Sequence, residues 1–123
     1  MQRIMLKSKI HRATLTETEL DYVGSITIDV ALLEQADILP GEQVHVLNIN
    51  NGARFITYTI AAERDGGAIV LNGAAARLGR VGDPLIILSY CNVDERDEVR
   101  HIPRAVFVDR RNRVAEVRDA VPE

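Results

Sequence analysis

Asn51–Gly52 stands between two runs of strand-forming residues, QVHVLNI at 43–49 and ARFITYTIAAE at 53–63. Asn–Gly suits the two positive-φ positions of the tightest hairpin turn, so the pair predicts antiparallel strands on either side of it. Alternation in the first run puts Val44, Val46 and Asn48 on one face and His45 and Leu47 on the other. A chain with this centre is organised as sheet.

The rest of the sequence extends the pattern. Residues 2–8 and 10–15 read as two short strands. After Gly24–Ser25 the run ITID leads into VALLEQADIL, a helix with Asp29 as N-cap and Leu32, Leu33 and Ala36 on one face, stopped at Pro40–Gly41. Asp65–Gly66–Gly67 predicts a second turn and AIVL a short strand. NGAAARLG, at 72–79, reads as a turn with one helical turn. PLIILSYC, at 84–91, reads as a fully buried strand. The tail from Asn92 is highly charged, with strands predicted at AVFV and RVAEV. The sum is an all-β class fold, mainly β with one or two short helices and six to eight short strands. A small β-barrel is the natural closure, because it removes exposed edges.

Composition narrows the function classes. With 123 residues, one domain is expected. Aromatics are 4% and Trp is absent, so the core is aliphatic. A net charge of −3 argues against a nucleic-acid binder. The single Cys91 fits a buried structural thiol in a reducing compartment. The opening residues MQRIMLKSKIHR carry charges throughout, and no apolar run reaches the roughly 20 residues of a membrane helix. A soluble, cytoplasmic protein is expected. There is no phosphate-loop, dinucleotide-binding or Gly-x-Ser-x-Gly motif, and His11, His45 and His101 are too scattered to suggest a metal site. An enzyme built on this chain must obtain its electrophile in some other way.

Four segments in this order resemble the aspartate 1-decarboxylase family: KSKIHRA at 7–13, LDYVGSITID at 20–29, NNGARFITYTIAAERDGG at 50–67, and VLNGAAARLGRVGD at 70–83. The resemblance runs over most of residues 1–90. It rests on all four together, since a Gly–Ser pair alone is uninformative. It implies a six-stranded double-psi β-barrel assembled as a homotetramer. It further implies a single domain, 1–123, cut between Gly24 and Ser25 into a β chain (1–24) and an α chain (25–123). The implied activity is conversion of L-aspartate to β-alanine and CO2 for pantothenate, a coenzyme A precursor. The implied cofactor is a covalent pyruvoyl group derived from Ser25, with no pyridoxal phosphate and no metal. The partners would be L-aspartate and further copies of the chain, with no nucleic acid or membrane. A need for a maturation factor stays open.

The resemblance also distributes roles. The Ser25 hydroxyl would attack the Gly24 carbonyl and convert the amide to an ester, given a turn that holds the two close and in line. Gly24 lacks a Cβ and tolerates unusual backbone angles. Thr57 would supply a donor to the oxyanion, with Tyr22 and His11 in supporting places. Elimination and hydrolysis would leave the ketone, which forms a Schiff base with the substrate amine and serves as electron sink. Tyr58 would return the proton to Cα. Arg54 offers a bidentate fork and Lys9 a point charge for the two carboxylates. Thr57 and the loop at Asn72, Gly73, Ala74 and Ala75 complete the substrate contacts, where small side chains let backbone N–H groups come close.

Strand periodicity sets one condition on this scheme. Lys9 and His11 share a face, as do Arg54 and Tyr58, whereas Thr57 points away from Tyr58. If both reach one site, their strand bulges, ends there, or lies between two sites at a subunit interface. The rival reading is a non-catalytic small barrel: ILPGEQVHVLN also resembles the hairpins of swapped-hairpin, DNA-binding regulators. The acidic balance argues against it.

Overall fold

The computed structural model describes residues 1–120. Nine strands are present among them: β1 (Gln2–Thr14), β2 (Glu17–Glu19), β3 (Ser25–Asp29), β4 (Gln43–Asn48), β5 (Arg54–Ala62), β6 (Ile69–Asn72), β7 (Pro84–Asp94), β8 (Arg104–Val108) and β9 (Val114–Asp119). One α-helix, α1 (Val30–Gln35), follows β3, and a 3-10 helix spans Gly73–Leu78. The strands run in the order β2-β6-β3-β5-β4-β7-β1-β8-β9. Pairings β1/β8, β2/β6 and β3/β5 are parallel and the others antiparallel. No helix among the described residues is long and apolar enough to cross a membrane.

The hairpin predicted around Asn51–Gly52 is β4–β5, with Gly52 at φ 74°. Val44, Val46 and Asn48 are buried, and His45 and Leu47 are half-buried on the other face. Their inner face meets Ile10, Ile26, Ile28, Leu33, Leu85 and Ile87 in an aliphatic core. Asp29 caps α1 as expected, accepting from Ala31 N at 2.9 Å, and Leu32, Leu33 and Ala36 are buried. The same carboxylate also accepts from Asp65 N (3.1 Å) and Gly67 N (2.9 Å), so the helix start and the 65–67 turn share one anchor.

Several expectations are corrected. The two N-terminal strands are one, β1, whose register shifts between Leu6 and Ser8 and again between Ile10 and Ala13, around the positive φ of Arg12. The helix ends at Gln35, well before Pro40, because Asp37 takes a positive φ. The strand predicted over 84–91 is not fully buried. Leu85, Ile87 and Ser89 point inward and their neighbours stay half-open, so one of its faces lies outside the core. The charged tail contributes the predicted strands as β8 and β9 and is stitched to the body by Asn112. That buried side chain accepts from Thr14 N (2.7 Å) and donates to Thr14 O and Gly67 O.

The chain passes from β1, near one end of the strand order, directly to β2 at the other. The linking residues stay hydrogen-bonded on both sides: Leu15 N donates to Asp83 O, just before β7, and Thr16 N donates to Ile69 O at the start of β6.

Candidate active site

Ser25 opens β3 and is fully buried. It pairs with Asn72, the last residue of β6. Residues level with one another on paired strands share a face, so the Asn72 side chain lies over Ser25 and, by the period of two, over Thr27. Its amide donates to Ser25 Oγ at 3.0 Å and to Thr27 Oγ1 at 2.9 Å. Ser25 Oγ in turn donates to Val23 O at 2.8 Å. The hydroxyl is therefore held from both sides, beside its own N-terminal peptide.

The backbone before Ser25 is pressed by the next residue of the β6 loop. Gly73 has φ 65°, and a Cβ there would lie 2.7 Å from both the N and the Cα of Gly24 and 2.9 Å from Tyr22 O. Gly73 thus lets two main chains meet where a side chain would hold them apart. Gly24, which tolerates unusual backbone angles, does not take a positive φ here, and the space beside it is open. The glycine that the local geometry demands is Gly73. Ala74 and Ala75 continue into the 3-10 helix, the first exposed and the second buried.

β5 is adjacent. Its ladder with β4 runs without a register shift from Arg54 through Tyr58, and its ladder with β3 starts at Ile26 opposite Thr59. Continued one residue back, the same register would set Ser25 level with Tyr58. Arg54, Ile56 and Tyr58 form the outer face of the strand; Thr57 is level with buried Val44 and belongs to the inner side. The strand neither bulges nor ends at Thr57, which removes two of the three ways in which Thr57 and Tyr58 could serve one site.

Lys9 is not beside Ser25 in the sheet. It is level with Leu88 of β7, which is level with His45 of β4, which is level with Ile56 of β5. The four make one row on the outer face. Along the sheet, β5, β4 and β7 stand between β1 and β3. His11 is likewise on β1, opposite Phe107, with ring centroids 5.3 Å apart. Its Nδ1 is buried without a partner, and burial first, then Lys9, Arg12 and Arg118, hold its pKa below 6.5. Tyr22 is half-exposed in the turn before Gly24. Arg54 is exposed and reaches Tyr90 Oη at 3.1 Å.

A single chain therefore brings Gly24, Ser25, Asn72 and Gly73 together beside β5, the strand of Thr57 and Tyr58, while Lys9 and His11 lie on β1. Thr27 was not foreseen as part of this cluster, although its place two residues after Ser25 on a strand is the signal that could have found it. His45 and Tyr90, the neighbours of Arg54, carried no sequence signal of that role.

A sequence model of the family described as aspartate decarboxylase matches residues 1–115. This chain belongs to that family. Among its relatives, the protein named aspartate 1-decarboxylase from Thermoanaerobacter pseudethanolicus is 58% identical over 113 residues, covering 92% of this chain and 97% of that protein. One of the same name from Pelotomaculum thermopropionicum is 59% identical over 114 residues, 93% of this chain and 86% of that protein. A third, from Dehalococcoides mccartyi, is 54% identical over 117 residues, 95% and 94% of the two chains. The match to the aspartate decarboxylase family reaches past residue 90, through β8 and into β9, and it sets aside the reading as a DNA-binding barrel.

Proposed function

We propose that Ser25 is the residue that becomes the pyruvoyl group of this chain, through cleavage of the Gly24–Ser25 bond. Family membership carries the activity itself: the chain is a pyruvoyl-dependent decarboxylase that converts aspartate to β-alanine in pantothenate biosynthesis. The observation that carries the assignment to Ser25 is the doubly held hydroxyl, with Asn72 and Val23 on its two sides and Gly73 against Gly24. The buried, small-residue surroundings fit a group no larger than the serine that it replaces.

In the cleavage step, the Ser25 hydroxyl, hydrogen-bonded to Val23 O, attacks the Gly24 carbonyl carbon; the Gly24–Ser25 C–N bond breaks, the hydroxyl proton ends on the freed Ser25 amine, and the amide becomes an ester. Thr57, on the neighbouring strand β5, is the donor that the developing oxyanion requires. Asn72 keeps the hydroxyl from turning away. Elimination at Ser25 then separates residues 1–24 from 25–123.

The pyruvoyl ketone supplies the carbonyl that captures the substrate amine and takes up the electrons released with CO2. The chain's own residues do the rest. Tyr58, level with Ser25 and on the same face, donates the proton that replaces CO2 at Cα. Arg54 and Lys9 hold the two carboxylates by charge. A second copy that completes the site would bring a Lys9 to it, and a homotetramer would provide such a copy. The hydrogen-bonded passage from β1 to β2 supports a closed double-psi barrel of six strands, with the β8–β9 hairpin added outside.

Intact mass of the purified protein tests the assignment. The expected result is two fragments, 1–24 and a 25–123 chain with a blocked N-terminus, while Ser25→Ala stays one chain. Borohydride with L-aspartate should add a substrate mass to the larger fragment only. A wild-type chain that stays whole after prolonged warming, with cell extract supplied for maturation, would remove the proposal.

A further inference from the structure

Arg54 does not extend freely from β5. Its guanidinium leans across β4, where Nη2 donates to Tyr90 Oη at 3.1 Å and lies 3.4 Å from His45 Nδ1. The His45 and Tyr90 rings meet edge to face, with centroids 4.8 Å apart at 64°. The three side chains come from three neighbouring strands, β5, β4 and β7, and share the outer face that also carries Lys9 and Tyr58. A guanidinium has donors only, so His45 Nδ1 is a partner only as an acceptor, with the ring neutral and its proton on Nε2.

A long cation on an exposed strand samples many rotamers, and a ligand that needs it must first order it. Here one corner is already tethered. We propose that His45 and Tyr90 are positioning residues for substrate: they hold Arg54 by Nη2 and leave its Nη1 N–H groups for a carboxylate oxygen of the dicarboxylic substrate. This rests on the reading that Arg54 binds a substrate carboxylate. It adds two residues that act through Arg54 without touching the reacting atoms. It also links affinity to the state of His45. A proton on Nδ1 turns the acceptor into a donor and places a second cation against Arg54. The charged or titratable groups around that ring are Arg54 from β5, Tyr90 and Cys91 from β7, Lys7 and Lys9 from β1, and Glu42 just before β4.

The test uses the self-processed protein and succinate, which has both carboxylates and no amine, followed by titration calorimetry, with steady-state kinetics on L-aspartate beside it. Tyr90→Phe and His45→Leu should each weaken succinate binding roughly 3–10-fold, the worth of one hydrogen bond. KM for aspartate should rise by the same factor, with kcat within about twofold. His45→Asn, which keeps an acceptor near the Nδ1 position, should bind as the wild type does. Arg54→Ala should bind far more weakly than any of these. If Arg54→Ala weakens binding while Tyr90→Phe and His45→Leu do not, the positioning role is overturned and Arg54 keeps its own. If Arg54→Ala binds succinate like the wild type, the reading of Arg54 falls and takes this proposal with it. Should His45→Leu fold poorly, Tyr90→Phe, which removes a single oxygen, decides.

Discussion

A methyl group on Gly73 would lie 2.7 Å from the backbone N and Cα of Gly24. The contact joins the loop after β6 to the Gly24–Ser25 segment, and the atoms met are backbone, so no flexible side chain is present to yield. Gly73→Ala is expected to cost about 1–2 kcal/mol for the left-handed backbone alone, with the clash in addition. The thermal midpoint should fall by about 4 °C or more, and cleavage at Gly24–Ser25 should slow as the turn is displaced. Mass spectrometry over time, read beside the melting curve, checks both. Cleavage at the wild-type rate would show that the contact does not set the turn.

Asn72 is the next test. Its amide is the donor to both Ser25 Oγ and Thr27 Oγ1, inside the fold. Asn72→Ala should leave these hydroxyls short of a donor and cost on the order of 1–3 kcal/mol. The uncleaved fraction should rise at a fixed time after purification. Asn72→Asp is the sharper variant: it keeps the shape but offers two acceptors where a donor is needed, so its cleavage should be slower still.

Asp29 predicts a stability effect with no part in the chemistry. Its buried carboxylate accepts from Ala31, Asp65 and Gly67 N–H groups. Asp29→Ala removes a helix cap and strands two turn donors, for a loss on the order of 2–4 kcal/mol. Denaturant midpoints measure this directly. Asp29→Asn, which can keep one acceptor oxygen, should fall between the two.

Glu42 predicts a pH dependence. Burial alone would raise its pKa, but hydrogen bonds from Lys7, Ser89 and Leu39 N outweigh that and hold it below the ordinary 4.5. The folded value lies below the unfolded one. The contribution is therefore fully present above about pH 4.5 and is lost as pH falls through the folded value. Glu42→Gln should be less stable than the wild type at neutral pH, and the gap should narrow on acidification below 4.5. Chemical denaturation at several pH values gives the two slopes; parallel curves would show that Glu42 gains nothing from its partners.

Much of the fold was legible because it is local. The Asn–Gly turn, the alternation of Val44 and Val46, the Asp29 cap and the 65–67 turn each follow from neighbours in sequence, through turn geometry and period-two or helical spacing. Where the reading slipped, non-local partners decided. The two strands predicted at 2–8 and 10–15 part at Lys9, yet pairing with β7 and β8 carries β1 straight through it. The helix is predicted too long because apolar residues recur through VALLEQADIL, and Ile38 is buried although it lies outside the helix.

Of the relation between Gly24–Ser25 and its surroundings, the sequence by itself determined the residue types and, through four ordered segments, the family. It could not say which glycine matters for space, because Cβ clearance is a property of two chain segments that are far apart in sequence. Only the tertiary structure decided that Gly73, and not Gly24, makes the close approach. Only pairing of β3 with β6 and β5 put Asn72 on the Ser25 hydroxyl and brought Tyr58 level with it. The same strand order set Lys9 on β1, four strands from β3 in the sheet, which a list of site residues cannot show.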